Sequence, residues 1–462
     1  MRFDDLRLNK PLLDAVRAAG YETPTQVQAQ VIPLALEGKD VLGCAQTGTG
    51  KTAAFALPII QRLSADQPPK RTEGERPRFR NIRCLVLAPT RELAQQISDS
   101  FATYGRFCKL KRTVVYGGVN KRPQTRTLRQ GVDILVATPG RLLDHMSDGT
   151  IRLNNVEILV LDEADNMLDM GFLPDIRRIL SKIPKQRQTL LLSATMPQGI
   201  RTLANDVLDH PVSVQAARVS SPAENVEHWA YRVEKTEKAL LLCSVLDATP
   251  YTRALVFTRT KHGADKVVRH LTKAGVSADA IHGNKSQNAR SRALAGFRSG
   301  KTDVLVATDI AARGLDIDNI SHVINYDLTA EPETYVHRIG RTGRAGATGT
   351  ALSFVSGEDR GKLRAIERLI QISLQPAADI PGYVAPVLRD DRPNSHQRGD
   401  SNGRNNSNSR GGNGSHNGNR SSGGNNSHAG SSHRHKPRFA NKNASPRRRS
   451  RGPKRESTNA AK

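Results

Sequence analysis

Cysteine is scarce: four in 462 residues, at 44, 84, 108 and 243, with no CxxC pair. That spacing excludes a thiolate zinc cluster or a dithiol redox centre, and it reads as reduced, mostly buried thiols. Long apolar runs are also missing, none approaching the ~18 residues of a membrane span. The first ten residues, MRFDDLRLNK, set acids where a secretory leader would be apolar. Acids are the minority charge, 44 Asp and Glu against 70 Lys and Arg, for a net +26. These features together predict a soluble, cytoplasmic chain with a polyanionic partner.

Aliphatic side chains vanish from one region. From residue 389 onward there is no Leu, Ile, Val, Met or Trp, and Asn, Gly, Ser, Arg and His take their place. Such a segment cannot bury enough apolar area to offset its ordering entropy, so disorder is expected. Residues 381–462 hold 17 basic against 4 acidic side chains, which is +13 and half of the total. The other +13 is spread over the preceding 380 residues.

What is present upstream is an alternation of short apolar runs with helix-like stretches. Strands are predicted at 41–45, 84–88, 134–137, 158–161 and 189–192, then at 254–258, 304–307, 323–326 and 351–355. Continuous apolar strands between helices imply parallel sheets buried on both faces. Between the two series, 210–223 (HPVSVQAARVSSPA) lacks helical periodicity and reads as a linker. The predicted organisation is a first α/β domain at 1–209, the linker at 210–223, a second α/β domain at 224–380 and a basic tail at 381–462.

Chemistry-bearing motifs sit at strand ends. AQTGTGKT at 45–52 follows an apolar strand and opens a helix, the context of a phosphate-binding loop. Gly48 and Gly50 let the backbone turn its N–H groups toward phosphate oxygens. Lys51 would reach the β- and γ-phosphates and the Thr52 hydroxyl would ligate Mg²⁺. DEAD at 162–165 ends the run EILVL, so Asp162 is placed to hold Mg²⁺ and Glu163 to activate a water. Either Asp162 or Asp165 alone would read better as a helix N-cap, and the phosphate-binding loop upstream turns the reading to metal. In GYETPTQVQ at 20–28, Tyr21 can stack on a purine and Gln28 can pair with adenine. HRIGRTGR at 337–344 spaces three arginines by three, forks that suit developing phosphate charge or simply a solvated basic surface. TDIAARGLD at 308–316 offers Thr308, Asp309 and Asp316 at another strand end.

Together these segments resemble the DEAD-box RNA helicases over roughly residues 1–375. The resemblance implies two RecA-like domains in tandem and ATP-dependent local unwinding of short RNA duplexes or remodelling of ribonucleoprotein. It implies ATP contacts from Phe3, Tyr21, Gln28, Ala45, Gln46, Thr47, Gly48, Thr49, Gly50, Lys51, Thr52 and Asp316. Arg341 and Arg344 would be arginine fingers, completing a catalytic set with Lys51, Asp162 and Glu163. Asp165, Ser193, Ala194, Thr195 and His337 would couple hydrolysis to unwinding. RNA contacts would come from Pro89, Thr90, Arg91, Gly117, Gly118, Thr138, Pro139, Gly140 and Arg141. In the second domain they would come from Arg259, Gln287, Arg290 and Thr308. DEADNMLDMGF at 162–172, with a compact core and basic tail, looks most like the bacterial RhlE type. Ribosomal precursors and RNA-decay proteins are the partners that the family suggests. The tail, with only Tyr383 and Phe439 for stacking, is expected to tether RNA by charge.

Overall fold

The computed structural model describes residues 1–45, 48–65, 81–215, 226–314, 317, 319–343, 348–377 and 380. The tail and part of the expected linker, 216–223, lie outside them. Two seven-stranded parallel sheets organise the described chain. The first contains β1 (Val41–Cys44), β2 (Cys84–Leu87), β3 (Arg112–Val115), β4 (Ile134–Ala137), β5 (Ile158–Leu161), β6 (Gln188–Ser193) and β7 (Val212–Gln215). Its spatial order is β3-β4-β2-β5-β6-β1-β7. The second contains β8 (Val226–Arg232), β9 (Ala254–Phe257), β10 (Ala278–Ile281), β11 (Val304–Ala307), β12 (His322–Asn325), β13 (Gly349–Val355) and β14 (Gln375–Pro376). Its order, β10-β11-β9-β12-β13-β8-β14, repeats the first sheet strand for strand.

The short apolar runs become strands because helices cover both sheet faces. In β2 and β5, Leu85, Leu87, Leu159 and Leu161 face one hydrophobic cluster, and Cys84, Val86, Ile158 and Val160 face the other. The pairing register, Cys84 opposite Ile158 through Leu87 opposite Leu161, keeps each set on its own side. Burial of this kind stabilises each large aliphatic side chain by about 1.5–3 kcal/mol.

All nine predicted strands form within two residues of their expected ends. Four of the five unexpected ones, β3, β7, β10 and β14, are the sheet edges. Edge strands are half exposed, and their polar residues hide the apolar signal. Strand β7 corrects the linker expectation: Val212–Gln215 pairs with β1, and Val214 is buried. Buried Asp40 anchors that edge, accepting from Thr189 N–H and Asp209 N–H at 2.7 Å each. No helix among the described residues is long and apolar enough to cross a membrane.

Strand order decides where chemistry converges. Strands β5, β6 and β1 are neighbours, so the loops leaving their C-terminal ends form one crevice. Strands β11, β9 and β12 do the same in the second sheet.

Candidate active site and interdomain cleft

The loop after β1 starts at Ala45, whose N–H donates to Ser193 C=O at 3.0 Å. Gly48 and Gly50 both adopt left-handed φ, +85° and +84°, which no β-carbon-bearing residue would take cheaply. Lys51 opens the helix Lys51–Ala65, is buried, and donates from Nζ to Ala45 C=O at 2.8 Å. That contact folds the ammonium back over the loop where a phosphate would sit. Thr52 is the helix's second residue.

Gln28 is tied into the same loop. Its Nε2 donates to Gly50 C=O at 3.1 Å, and its Oε1 accepts from Thr25 N–H at 3.0 Å. Both amide atoms thus serve the loop and the N-terminus of the helix Gln26–Leu36 rather than standing open. Tyr21 is exposed, its ring 6.2 Å from that of Tyr104. Phe3 is in the hydrophobic core at 4% exposure.

After β5, all three acids of 162–165 are buried. Burial pushes the Asp162 carboxyl up to about 7, against the pull of Lys51. An acid this deep, with one nearby lysine, has the chemistry of a divalent-cation ligand. Glu163 takes a left-handed backbone (φ 51°, ψ 53°), a strain of order 1–2 kcal/mol. Its Oε2 accepts from Asn166 Nδ2 at 2.8 Å, and its Oε1 has no partner among the described residues. A buried carboxylate oxygen kept free is available to a water. Asp165 clamps the loop after β6: its Oδ2 accepts from Ala194 N–H, Thr195 N–H and Thr195 Oγ1 at 2.8–3.1 Å. Ser193 Oγ accepts from Asp165 N–H at 3.2 Å, closing the ring.

The second sheet reaches this crevice directly. Gly314 packs so closely that a Cβ there would stand 2.6 Å from Thr90 Oγ1 and 3.7 Å from Glu163 Oε2. Arg313 pairs with Asp169 across the cleft at 2.8 Å. Gln287 accepts from Arg91 Nη1 at 3.1 Å and donates to Glu92 Oε1 at 3.0 Å, while Arg290 pairs with Glu92 at 2.9 Å. His337 lies where burial pulls its imidazole below the ordinary value, opposed by Asp165. Arg341 is buried on the next turn, donating from Nε to His337 C=O at 3.3 Å.

A model of the DEAD/DEAH box helicase matches residues 25–203, and one of the helicase conserved C-terminal domain matches 237–346. The DEAD-box ATP-dependent RNA helicase CshA of Bacillus subtilis is 44% identical over 366 residues, covering 79% of this chain and 72% of that protein. The chain belongs to the DEAD-box ATP-dependent RNA helicases. CshA of Listeria monocytogenes is likewise 44% identical, over 81% of this chain and 70% of its own length. Among solved structures, S. cerevisiae Dbp5 bound to RNA and ADP BeF3 is 30% identical with a TM-score of 0.71, covering 81% of this chain and 95% of that one.

The remaining expected residues sit at helix starts and loop turns of their own domains. Thr90 caps the helix Arg91–Tyr104, with Pro89 buried before it. Gly118, at φ +76°, leaves space for the Arg91 guanidinium that a Cβ would invade. Thr138, Pro139 and Gly140 begin the helix Pro139–Ser147, and Arg141 donates to Val119 C=O at 3.2–3.3 Å behind Gly117 and Gly118. In the second domain Arg259 is exposed, its N–H held by Asp327 at 3.0 Å. Thr308 precedes the short helix Asp309–Ala312. Gln46, Thr47, Asp316 and Arg344 lie outside the described residues.

Two networks of the site were not assigned from the sequence. Glu92, within the segment 89–94 (PTRELA) that the resemblance gives to RNA, joins Gln287 and Arg290. Arg338 is 2% exposed, paired bidentately with Asp309 at 2.5 and 2.8 Å and bonded to Asn325 Oδ1 and Asp327 C=O. It also lies 4.9 Å over the Phe257 ring. This network fixes the helix Pro332–Ile339, which carries His337. The arginine spacing that flagged 337–344 was the available signal.

Proposed function

We propose that the helicase hydrolyses ATP only when RNA draws its two domains together, bending one strand and disrupting a short duplex locally. The observation that carries this reading is the contact of Gly314 with Thr90 beside the Glu163 carboxylate, because it joins the second domain to the hydrolytic acid. The loop 45–52 would bind the phosphates, with Lys51 on the β- and γ-groups, and Tyr21, Gln28 and Phe3 would form the adenine end. Mg²⁺ held by Thr52 and Asp162 would supply charge neutralisation on the phosphate oxygens. Glu163, with its free Oε1, would orient and deprotonate the attacking water. Arg341 and Arg344 would stabilise charge developing on the γ-phosphate as the cleft closes, and Asp316 would hold the ribose.

Coupling would run through Asp165, which grips Ser193–Thr195 on one side and faces His337 on the other. RNA would lie across Pro89–Arg91, Gly117–Gly118 and Thr138–Arg141, then Arg259, Gln287, Arg290 and Thr308. Contacts of this kind go to backbone phosphate and sugar, so sequence specificity would be low. RNA and ATP should then bind cooperatively, each favouring the closed state.

The domain limits 1–209 and 224–380, the tethering tail 381–462 and a cytoplasmic location belong to this reading. So do ribosomal precursors or RNA-decay proteins as partners. The RhlE-type placement rests on DEADNMLDMGF, the compact core and the basic tail, since the bacterial relatives above carry the CshA name. Measuring ATP turnover with single-stranded RNA and DNA of one sequence tests the proposal. RNA should stimulate strongly and DNA weakly; equal stimulation, or none by RNA, would overturn it.

A further inference from the structure

The helix Lys121–Arg129 (KRPQTRTLR) follows the Gly117–Gly118 loop and contains four basic residues and no acid. Its inner face is settled: Leu128 is buried, and Gln124 donates to Tyr116 C=O at 3.1 Å and accepts from Arg141 at 3.2 Å. Lys121 is neutralised by Asp144 and Asp148 at 2.9 and 2.5 Å. Arg122, Arg126 and Arg129 remain exposed, with no ion pair among the described residues. At 100° per residue they fall within about 60° of one another, opposite Gln124 and Leu128.

This stripe is electrostatically costly for an isolated helix. Arg122 and Arg126 repel at i,i+4, Arg126 and Arg129 at i,i+3, and Arg122 sits at the positive end of the helix dipole. Other helices of the chain offset their arginines at i,i+3: Arg17 with Asp14, Arg141 with Asp144, Arg178 with Asp175. Here no such partner stands among the described residues, and the helix itself has no acid. The guanidinium fork matches phosphate oxygens, and the stripe spans about 10 Å along the helix axis, roughly three nucleotides of one strand.

We propose that Arg122, Arg126 and Arg129 form a phosphate-binding rail that carries RNA onward past the Gly117–Gly118 loop, outside the interdomain cleft. The proposal rests on RNA being the polyanion of this chain, and its position follows from Gln124 and Arg141 tying the helix to the loop.

The test compares the wild-type chain with Arg122→Gln/Arg126→Gln/Arg129→Gln on single-stranded RNAs of about 10 and 25 nucleotides, over a salt series. The variant should bind the longer RNA about tenfold more weakly at 50 mM salt, with a log–log salt slope shallower by about two. Binding of the short RNA and ATP turnover at saturating RNA should stay within twofold, and the melting temperature should hold. A triple Arg→Lys variant should restore most of the slope. Equal slopes and affinities for the long RNA would overturn the rail and leave the stripe to an acidic protein or to solvent. Equal losses on both RNAs would also overturn it, by moving these arginines into the central site. Failure of the functional reading is separate, because it would show as a wild-type chain that RNA does not stimulate.

Discussion

The two sheets share one strand order, yet the loops at their equivalent strand ends are built differently. Each places a lysine at the start of the helix that follows an equivalent strand: Lys51 after β1 and Lys238 after β8. Each places an acid just beyond another equivalent strand, Asp162 after β5 and Asp327 after β12. In the first sheet the lysine turns back on its own loop and the carboxyl is left nearly unpaired. In the second, Lys238 Nζ donates to Tyr326 C=O at 2.8 Å and reaches Asp327 at 3.4 Å and Asp359 at 3.8 Å. The second ammonium is thus committed to acceptors of its own sheet. The difference lies in five residues, since VEKTE at 233–237 has none of the glycines of AQTGTGKT. A shared fold therefore says little about ligand; the loop chemistry decides it.

The comparison breaks most visibly at Lys51. Lys51→Ala should lower RNA-stimulated ATP turnover at least about a hundredfold, because the charge proposed to meet the reacting phosphates is lost. Near-normal phosphate release would remove the loop from the ATP site. Gly314→Ala comes next and sharpens the contrast from the other side. Its Cβ would meet Thr90 Oγ1 and Leu93 Cβ at 2.6 and 2.8 Å, and its φ of +70° costs a further ~1 kcal/mol. Turnover with RNA should fall about tenfold while ATP binding without RNA is retained. Unchanged RNA stimulation would show that this approach of the two domains is not part of the reaction.

How much of this was legible beforehand follows from where each residue's signal comes from. Strands buried on both faces, such as Cys84–Leu87, announce themselves as apolar runs, and the glycine-rich loop announces its own backbone. Edge strand Val212–Gln215 does not, because half of its side chains face water and its pairing depends on β1 being there already. Roles that depend on a partner from the other domain are equally silent. Glu92 gains its importance from Gln287 and Arg290, which lie almost 200 residues away in sequence. The bond of Gln28 to Gly50 C=O could not be foreseen either: the residue type suggested adenine, while the packed loop shows an amide that also braces the phosphate-binding turn.

The smallest expected effect on catalysis is the most informative about the second sheet. Lys238 is 4% exposed at its side chain, so Lys238→Met replaces a buried ammonium by an apolar chain of similar length. Removing one partner of a buried pair commonly costs 3–5 kcal/mol. Asp359 keeps Lys362 at 2.7 Å and Ser356 Oγ at 2.6 Å, and Asp327 still accepts from Arg259 N–H, so about 2 kcal/mol is expected here. Denaturant unfolding of the described core should register that loss, whereas ATP turnover should stay within about threefold of the wild type. A collapse of turnover like that of Lys51→Ala would make the second lysine a working part of the ATP site. Unchanged stability would mean that the Lys238 ion pairs contribute nothing net to the second sheet. With stability lowered and turnover kept, the same topology would be shown to hold a catalytic lysine in one sheet and a structural lysine in the other.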